Sequence, residues 1–321
     1  MLGVQKKSQP VQWLNLLLLI ITLVAFPFIS SITILSEQVQ FAIILIVFTF
    51  LGLPHGSMDH IIFRKLRDSQ DEKSTTDKAY IYSSILKMVL FALVWFISPL
   101  IGFVAFILMS AYHFGESQLY SYLPSENRKV SQLLYLLWGV TLLCSIMIIH
   151  LESTQKALFS IFPYFTQEHD FYKFIESNAL FLFLGLQLAN LFGFIYLFIN
   201  KFMKTLDFVL EILILFSLIC VFYYTPLFIG FIFYFGVWHS IKAMQQIFMF
   251  RSKKGASYTI KKYYKETFLY SILTLFGLIG IIIIDRYFNL LGDYTLLFFI
   301  LISILTAPHF LLFGKMIASI K

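Results

Sequence analysis

Long apolar runs separated by short polar breaks dominate this sequence. A helix needs about 20 apolar residues to cross a hydrocarbon core of roughly 30 Å, whereas a β-barrel would show short segments of alternating polarity. The pattern therefore predicts an all-α, polytopic integral membrane bundle, and no repeat or linker divides residues 1–321 into more than one domain. The ten predicted spans are 13–34, 38–56, 79–97, 99–117, 131–150, 178–200, 206–223, 226–249, 267–284 and 294–315.

The composition agrees with a membrane protein, because 59% of the residues are hydrophobic and only 13% are charged. The first apolar run follows Lys6 and Lys7, as the core of a signal peptide would. It is too long for a cleaved segment, and no small-x-small cleavage site follows it. We therefore expect a retained first span.

The positive charges predict the orientation of the bundle. With ten spans, 19 Lys and Arg residues lie on the side that holds both termini and 3 on the other. The positive-inside rule then places both termini in the cytoplasm, and we expect a multi-pass protein of the cell (inner) membrane. A net charge of +7 would suggest nucleic-acid binding in a soluble protein. Here the basic loops face one side of a lipid bilayer, and we expect no nucleic-acid partner.

Four histidines are predicted at a similar depth in the membrane. His55, His113, His239 and His309 lie in the second, fourth, eighth and tenth spans, which all run in the same direction. At about 1.5 Å per residue, they lie roughly 20 to 26 Å from the outer ends of their helices. Imidazole inside a bilayer is costly and tends to be functional or paired. The alternative is a coincidence of depth among unrelated histidines.

Glycine or proline lies within three residues of each of these histidines, as in "GLPHGSMDH" around His55. Glycine lets helices approach closely, and proline bends a helix and frees a carbonyl group. Both features suit four side chains that surround one ion. A site of imidazole ligands favours Fe, Cu or Zn.

Two carboxylates lie near the level of the histidines. We predict that Asp59 and Glu116 belong to the catalytic centre, where each would accept the far N–H of a ligating histidine. The alternative is an ordinary carboxylate at a helix end. His60, just beyond the second span, is an alternative fourth ligand or a proton carrier. Glu211, in the seventh span, is expected to snorkel or to cap a helix.

Four motifs in order, "GLPHGSMDH", "SAYHFGES", "FYFGVWHS" and "TAPHFLLFGK", resemble the Brp/Blh family of β-carotene 15,15′-dioxygenases. The resemblance runs from about residue 50 to residue 315. It implies a membrane enzyme that uses non-haem Fe(II) and O₂ to cleave the central double bond of β-carotene into two molecules of all-trans-retinal. A rhodopsin apoprotein would be a natural recipient of the retinal.

The resemblance assigns metal ligands residue by residue. The histidines of the PHG, HFG and WHS motifs are His55, His113 and His239. The family usually has a further histidine four residues after the WHS histidine, whereas this chain has Ala243. Either His309 completes the ligand set, which we favour because its depth selects it independently, or this chain binds carotenoid poorly, uses a different substrate or lacks activity.

Aromatic residues beside the predicted ligands are candidates for substrate binding. A polyene tunnel would be lined by flat side chains, and these candidates are Tyr112, Tyr234, Phe235 and Trp238. Two other functions remain open. One is a metal or proton transporter, although no inverted repeat is visible. The other is a noncatalytic carotenoid- or retinal-binding partner of a rhodopsin, which the alanine at 243 keeps in consideration.

Overall fold

The computed structural model of the chain describes residues 9–69, 76–123, 128–159, 166, 168–252, 257–288 and 294–320. Within these ranges the secondary structure is helical, with π-helical turns at Phe48–Gly52 and Phe233–His239. The helices are α1 (Gln9–Ser31), α2 (Glu37–Val47), α3 (Leu53–Ser57), α4 (Asp59–Ser69), α5 (Asp77–Ile97), α6 (Pro99–Leu119), α7 (Arg128–Ile149), α8 (Leu151–Phe159), α9 (Asp170–Ile199), α10 (Thr205–Tyr224), α11 (Leu227–Ile232), α12 (Ser240–Ser252), α13 (Ile260–Phe288) and α14 (Tyr294–Ile320).

The chain is an all-α, polytopic membrane bundle, as the apolar pattern predicts. Within the described part of the chain, nine helical stretches are long and apolar enough to cross a membrane. They coincide with the second to tenth predicted spans. The first predicted span corresponds to α1, in which a shorter apolar stretch, Trp13–Ile29, is found.

The second span is longer than the pattern predicts. It runs from Gln38 to Asp68 rather than ending at residue 56, because the helix continues through the PHG motif and resumes as α4 after a break at Met58. α4 has charged residues on one side and buries Ile62 and Leu66 on the other. An amphipathic helix has lower mean hydropathy than a lipid-facing helix. The apolar pattern of the sequence therefore places the end of the second span too early.

Glycines bring α6 and α7 unusually close together. A Cβ atom on Gly115 would lie 1.8 Å from the backbone oxygen of Tyr135, and one on Gly139 would lie 1.8 Å from that of Ala111. Only a residue without a side chain allows backbones to approach in this way. The contact holds the part of α6 that carries His113 inside the bundle, where that histidine is 2% exposed.

The outer helices α5 and α13 contrast with this interior. In each, only 6% of the most apolar stretch is buried within the protein. Their side chains are hydrocarbon in character, so these two helices present an apolar surface to the lipid. α5 packs on α14 and α6, and α13 packs on α3.

Candidate metal centre

Four histidine rings meet in the interior of the bundle, each from a different helical segment. His55 lies on α3, His113 on α6, His239 at the end of the π-helical turn before α12, and His309 on α14. The ring centroids of His55 and His239 are 5.3 Å apart, and those of His113 and His239 are 4.9 Å apart. The ring of His309 is 5.2 Å from that of His55 and 5.1 Å from that of His113.

Irregular backbone accompanies three of these histidines. The π-helical turn Phe48–Gly52 ends three residues before His55, and the turn Phe233–His239 ends at His239 itself. Pro308 lies within α14 directly before His309. Since π-turns shift the faces of a helix and often occur at functional sites, they explain how separate helices aim their imidazoles at one point.

Nitrogen atoms of three of these rings, those of His55, His113 and His239, form a donor set that could hold a metal ion. One ligand nitrogen from each of His55, His113 and His239 lies within 4.8 Å of the other two. In the described part of the chain, Nδ1 of His55, both nitrogens of His113, and Nε2 of His239 and of His309 are buried without a hydrogen-bond partner. Buried polar atoms normally have partners, so converging nitrogens that lack them fit a bound cation.

Asp59 orients the fourth histidine. Nδ1–H of His309 donates a hydrogen bond of 2.8 Å to Oδ1 of Asp59. In the tautomer that donates this bond the proton lies on Nδ1, and Nε2, which is buried without a hydrogen-bond partner, keeps a free electron pair. Carboxylates that accept the far N–H of a histidine fix its tautomer and raise its basicity in metal sites.

His60 occupies a different environment. Its Nδ1 lies 3.0 Å from the backbone oxygen of Ser57, and its ring lies against that of Tyr270 with centroids 4.0 Å apart. Glu116 is buried on α6 and lies beside α14, where its Oε2 would be 3.3 Å from a Cβ on Gly314. Its placement in the catalytic centre stays a prediction.

A cavity of about 270 Å³ adjoins the histidines and is named here the histidine cavity. All four rings line it, together with Asp59, His60 and apolar residues of α5, α6 and α14. Of the four predicted substrate-binding residues, Phe235 lines the cavity, and its ring centroid is 5.9 Å from those of His55 and His239.

The other three predicted aromatic residues are not among the residues that line the histidine cavity. Tyr234 and Trp238 are buried in the core that α7 and α10 share, and the ring of Tyr234 packs 5.1 Å from that of Phe114. Tyr112 packs edge-on against Tyr135 at 5.7 Å. Because neighbouring helix residues point in different directions, only part of a motif can face one cavity.

A comparison with protein families matches residues 44–317 to the family described as β-carotene 15,15′-dioxygenase. The chain belongs to this family. The matched segment contains all four histidines of the centre. Comparisons with curated proteins and with solved structures gave no match.

Position 243, where the resemblance implied a further histidine, holds a packed alanine. In this dioxygenase-family chain, Ala243 is fully buried in a cluster with Met58, Ile247 and Phe313. The side chain lies one turn beyond His239 on α12. Hydrocarbon therefore occupies the surroundings that a further imidazole would need, while His309 enters the centre from α14.

A buried polar network beside the centre was not predicted. Nζ of Lys242 donates to Oε1 of Gln118 over 2.7 Å, and Nε2 of Gln118 donates to both carboxylate oxygens of Glu211, at 3.0 and 2.8 Å. Asn15 on α1 also donates to Glu211. The expectation that Glu211 snorkels or caps is wrong, because the side chain is fully buried.

Two further hydrogen bonds join α6, which carries His113, to α12, which follows His239. The hydroxyl of Ser117 donates to Oε1 of Gln246 over 3.1 Å, and Nε2 of Gln246 donates to the backbone oxygen of Ser117 over 2.7 Å. Burial and the nearby Glu211 carboxylate raise the pKa of Tyr122, so its hydroxyl stays protonated and donates to that carboxylate. The sequence feature that indicates this buried network is the presence of two ionisable residues, Glu211 and Lys242, inside apolar spans.

Proposed function

We propose that this protein is a membrane dioxygenase that uses non-haem Fe(II) and O₂ to cleave the central 15,15′ double bond of β-carotene. The products are two molecules of all-trans-retinal. The observation that carries the proposal is the convergence of four buried histidines on an apolar cavity, in a chain of the β-carotene 15,15′-dioxygenase family. We further propose that it resides in the cell (inner) membrane as one domain with both termini in the cytoplasm.

His55, His113, His239 and His309 would hold the iron through the nitrogens that lack other partners. Four neutral imidazoles leave the ion its full positive charge and coordination positions for O₂. When bound, Fe(II) would supply the oxygen chemistry, in which the C=C bond breaks and each of its two carbons receives one oxygen atom. No proton is gained or lost in that overall conversion.

The surrounding residues would position the ligands and exclude water. Asp59 would keep His309 in the tautomer that binds through Nε2. The ring of Phe235, beside those of His55 and His239, would present a flat surface to the polyene. The apolar walls would keep water from reactive oxygen species. The residues that line the cavity would be packed in turn against Tyr112, Tyr234 and Trp238. Glu116 would lie next to the metal centre.

The substrate and products fit a membrane location. β-Carotene is uncharged and about as long as the roughly 30 Å hydrocarbon core, so it dissolves in the bilayer. Retinal is likewise apolar, and a rhodopsin apoprotein is the proposed recipient. These assignments rest on the family and on the chemistry of the cavity.

The direct test is expression in a bacterium that accumulates β-carotene. We expect loss of the orange colour with production of retinal, and retention of colour with His113→Ala. His169→Ala is a matched control, because His169 is exposed and caps α9. Colour retained by the wild-type protein would contradict the dioxygenase. If pigment then copurifies with the protein, it is a carotenoid-binding partner; if metal crosses the membrane, it is a transporter.

A further inference from the structure

The histidine cavity reaches the lipid-facing surface of the bundle at α5 and α13. Ile81 and Ile85 on α5 and Tyr270 on α13 line the cavity, and they are 46%, 51% and 38% exposed. Since these two helices present an apolar surface to the lipid, the cavity is open to molecules dissolved in the bilayer. We name this part of the cavity the lipid-facing arm, and its residues are Tyr80, Ile81, Ser84, Ile85, Tyr270 and Thr274.

The lipid-facing arm and the histidine centre belong to one cavity. The four histidine rings and all residues of the arm line the same space of about 270 Å³. Gly56, directly after His55, also lines it, and a Cβ atom on this glycine would meet nothing within 4 Å. The space beside the centre is therefore not filled by protein, and a molecule formed at the histidines can reach the arm without crossing a wall.

The arm carries hydroxyl groups from both helices. Tyr80 and Ser84 are one turn apart on α5, and Tyr270 and Thr274 are one turn apart on α13, so each pair lies on one face of its helix. Oγ of Ser84 is buried near the hydroxyl of Tyr80, and no group in the described part of the chain is in hydrogen-bond geometry with it. Buried hydroxyls normally have a partner, so this one is available to a ligand in the cavity.

The proposed product can use such a donor, whereas the proposed substrate cannot. β-Carotene contains only carbon and hydrogen, but each retinal ends in an aldehyde whose oxygen accepts hydrogen bonds. Moving this oxygen through an apolar cavity without a partner costs free energy. A hydroxyl group along the route to the lipid offsets that cost, because it donates a hydrogen bond to the aldehyde.

His60 is less suited to this role than Ser84. Its ring also lines the cavity and packs on Tyr270 with centroids 4.0 Å apart. In the tautomer whose Nδ1–H donates to the backbone oxygen of Ser57, Nε2 carries no proton and cannot donate to an aldehyde. The hydroxyl of Ser84 is therefore the donor that the geometry favours.

We infer that the lipid-facing arm binds the aldehyde group of retinal on its way to the bilayer, with the hydroxyl of Ser84 as the hydrogen-bond donor. The inference rests on the proposed function. The ligand class is an elongated apolar molecule that ends in a carbonyl group, and no covalent bond forms or breaks in this step. Release at α5 and α13 delivers the product to the lipid rather than to water.

The first test measures binding to the metal-free protein in detergent. The two probes are all-trans-retinal and the hydrocarbon analogue that has a methyl group in place of the aldehyde, and quenching of tryptophan fluorescence gives both affinities. Wild-type protein should bind retinal about three- to tenfold more tightly than the analogue, which is the effect of one hydrogen bond. Equal affinity for the two probes would overturn the inference.

Small substitutions in α5 test the donor itself. Ser84→Ala removes the hydroxyl and should lower the affinity for retinal to about that for the hydrocarbon analogue. Ser83→Ala is the matched control, because Ser83 is exposed and its hydroxyl accepts a hydrogen bond from Lys87. Ser84→Thr keeps a hydroxyl and should keep part of the preference for retinal. A full preference for retinal in Ser84→Ala would overturn the inference.

Product inhibition separates this inference from the proposed function. During turnover of β-carotene by the iron-loaded protein, the inhibition constant of added retinal should rise at least about threefold in Ser84→Ala and stay at the wild-type value in Ser83→Ala. A wild-type protein that cleaves nothing but prefers retinal through Ser84 would support the arm while contradicting the dioxygenase. Cleavage of β-carotene by a protein with no preference for retinal would contradict the arm alone.

Discussion

His309 and Asp59, 250 positions apart in the sequence, are joined by a hydrogen bond of 2.8 Å between Nδ1 of the imidazole and Oδ1 of the carboxylate. The bond links the last helix to α4 at the level of the histidine centre. Both side chains are largely buried, so the contact is protected from water. It gives His309 a defined tautomer through a carboxylate, whereas Nδ1 of His60 contacts the backbone oxygen of Ser57 at the end of α3.

Loss of the Asp59 carboxylate should weaken metal binding without removing a ligand. We expect Asp59→Ala to lower the affinity for Fe(II) about 10- to 100-fold, because His309 loses the partner that fixes its ring. Titration of the metal-free protein measures this. Asp68→Asn is the control, since Asp68 is an exposed residue of the same helix. Equal affinity in Asp59→Ala and wild type would refute the positioning role.

His309 and His60 should differ sharply as ligands. Nε2 of His309 is buried without a partner in the described chain, whereas His60 contacts Ser57 and Tyr270. His309→Ala should therefore reduce the bound metal to well below one ion per chain, and His60→Ala should leave it unchanged. Elemental analysis of purified protein gives the ratio. The reverse result would make His60 the fourth ligand.

Restoring a histidine at position 243 should not strengthen the centre. Ala243 is fully buried in a hydrophobic cluster, and overpacking such a site costs about 1–3 kcal/mol. Ala243→His and the nonligating Ala243→Leu should both lower thermal stability in detergent. Tighter Fe(II) binding by Ala243→His, with stability at the wild-type level, would show that the position still belongs to the ligand set.

The close contact of α6 and α7 should be sensitive to a single methyl group. Gly115→Ala places a Cβ against the backbone oxygen of Tyr135, so the helices must separate and His113 must shift. We expect a loss of about 1–3 kcal/mol of stability together with weaker metal binding. Gly185→Ala, where a Cβ meets nothing within 4 Å, is the matched control. Similar behaviour of the two variants would exclude a role for the contact.

The buried charges of Lys242 and Glu211 should depend on each other. Removing one leaves the other uncompensated, which costs about 3–5 kcal/mol at buried sites. Glu211→Gln and Lys242→Met should each destabilise the protein strongly, and the double variant should recover part of the loss. Thermal unfolding of the four proteins forms a double-mutant cycle. Additive losses would mean that the two charges do not interact through Gln118.

The depth of the histidines in their spans predicted that four imidazoles lie close together, and their role as metal ligands stays a prediction. His55, His113, His239 and His309 lie in apolar helices of known length, so their common level follows from the rise per residue. The end of the second span was predicted too early, because α4 is amphipathic and its buried face is masked by charges. Asp59 was recognised as a partner for a histidine, but its acceptance from His309 depends on how α4 and α14 pack.

The amino-acid sequence by itself determined the class of protein and the chemistry available to it, because burial of apolar runs in lipid and the cost of imidazole in a bilayer are local properties. Tertiary structure decided which atoms meet. Helix rotation and π-turns brought four imidazoles together, placed Phe235 but not Tyr234 or Trp238 at the cavity, and paired Glu211 with Lys242 through Gln118. Those outcomes depend on how helices pack, which no pattern along one chain encodes residue by residue.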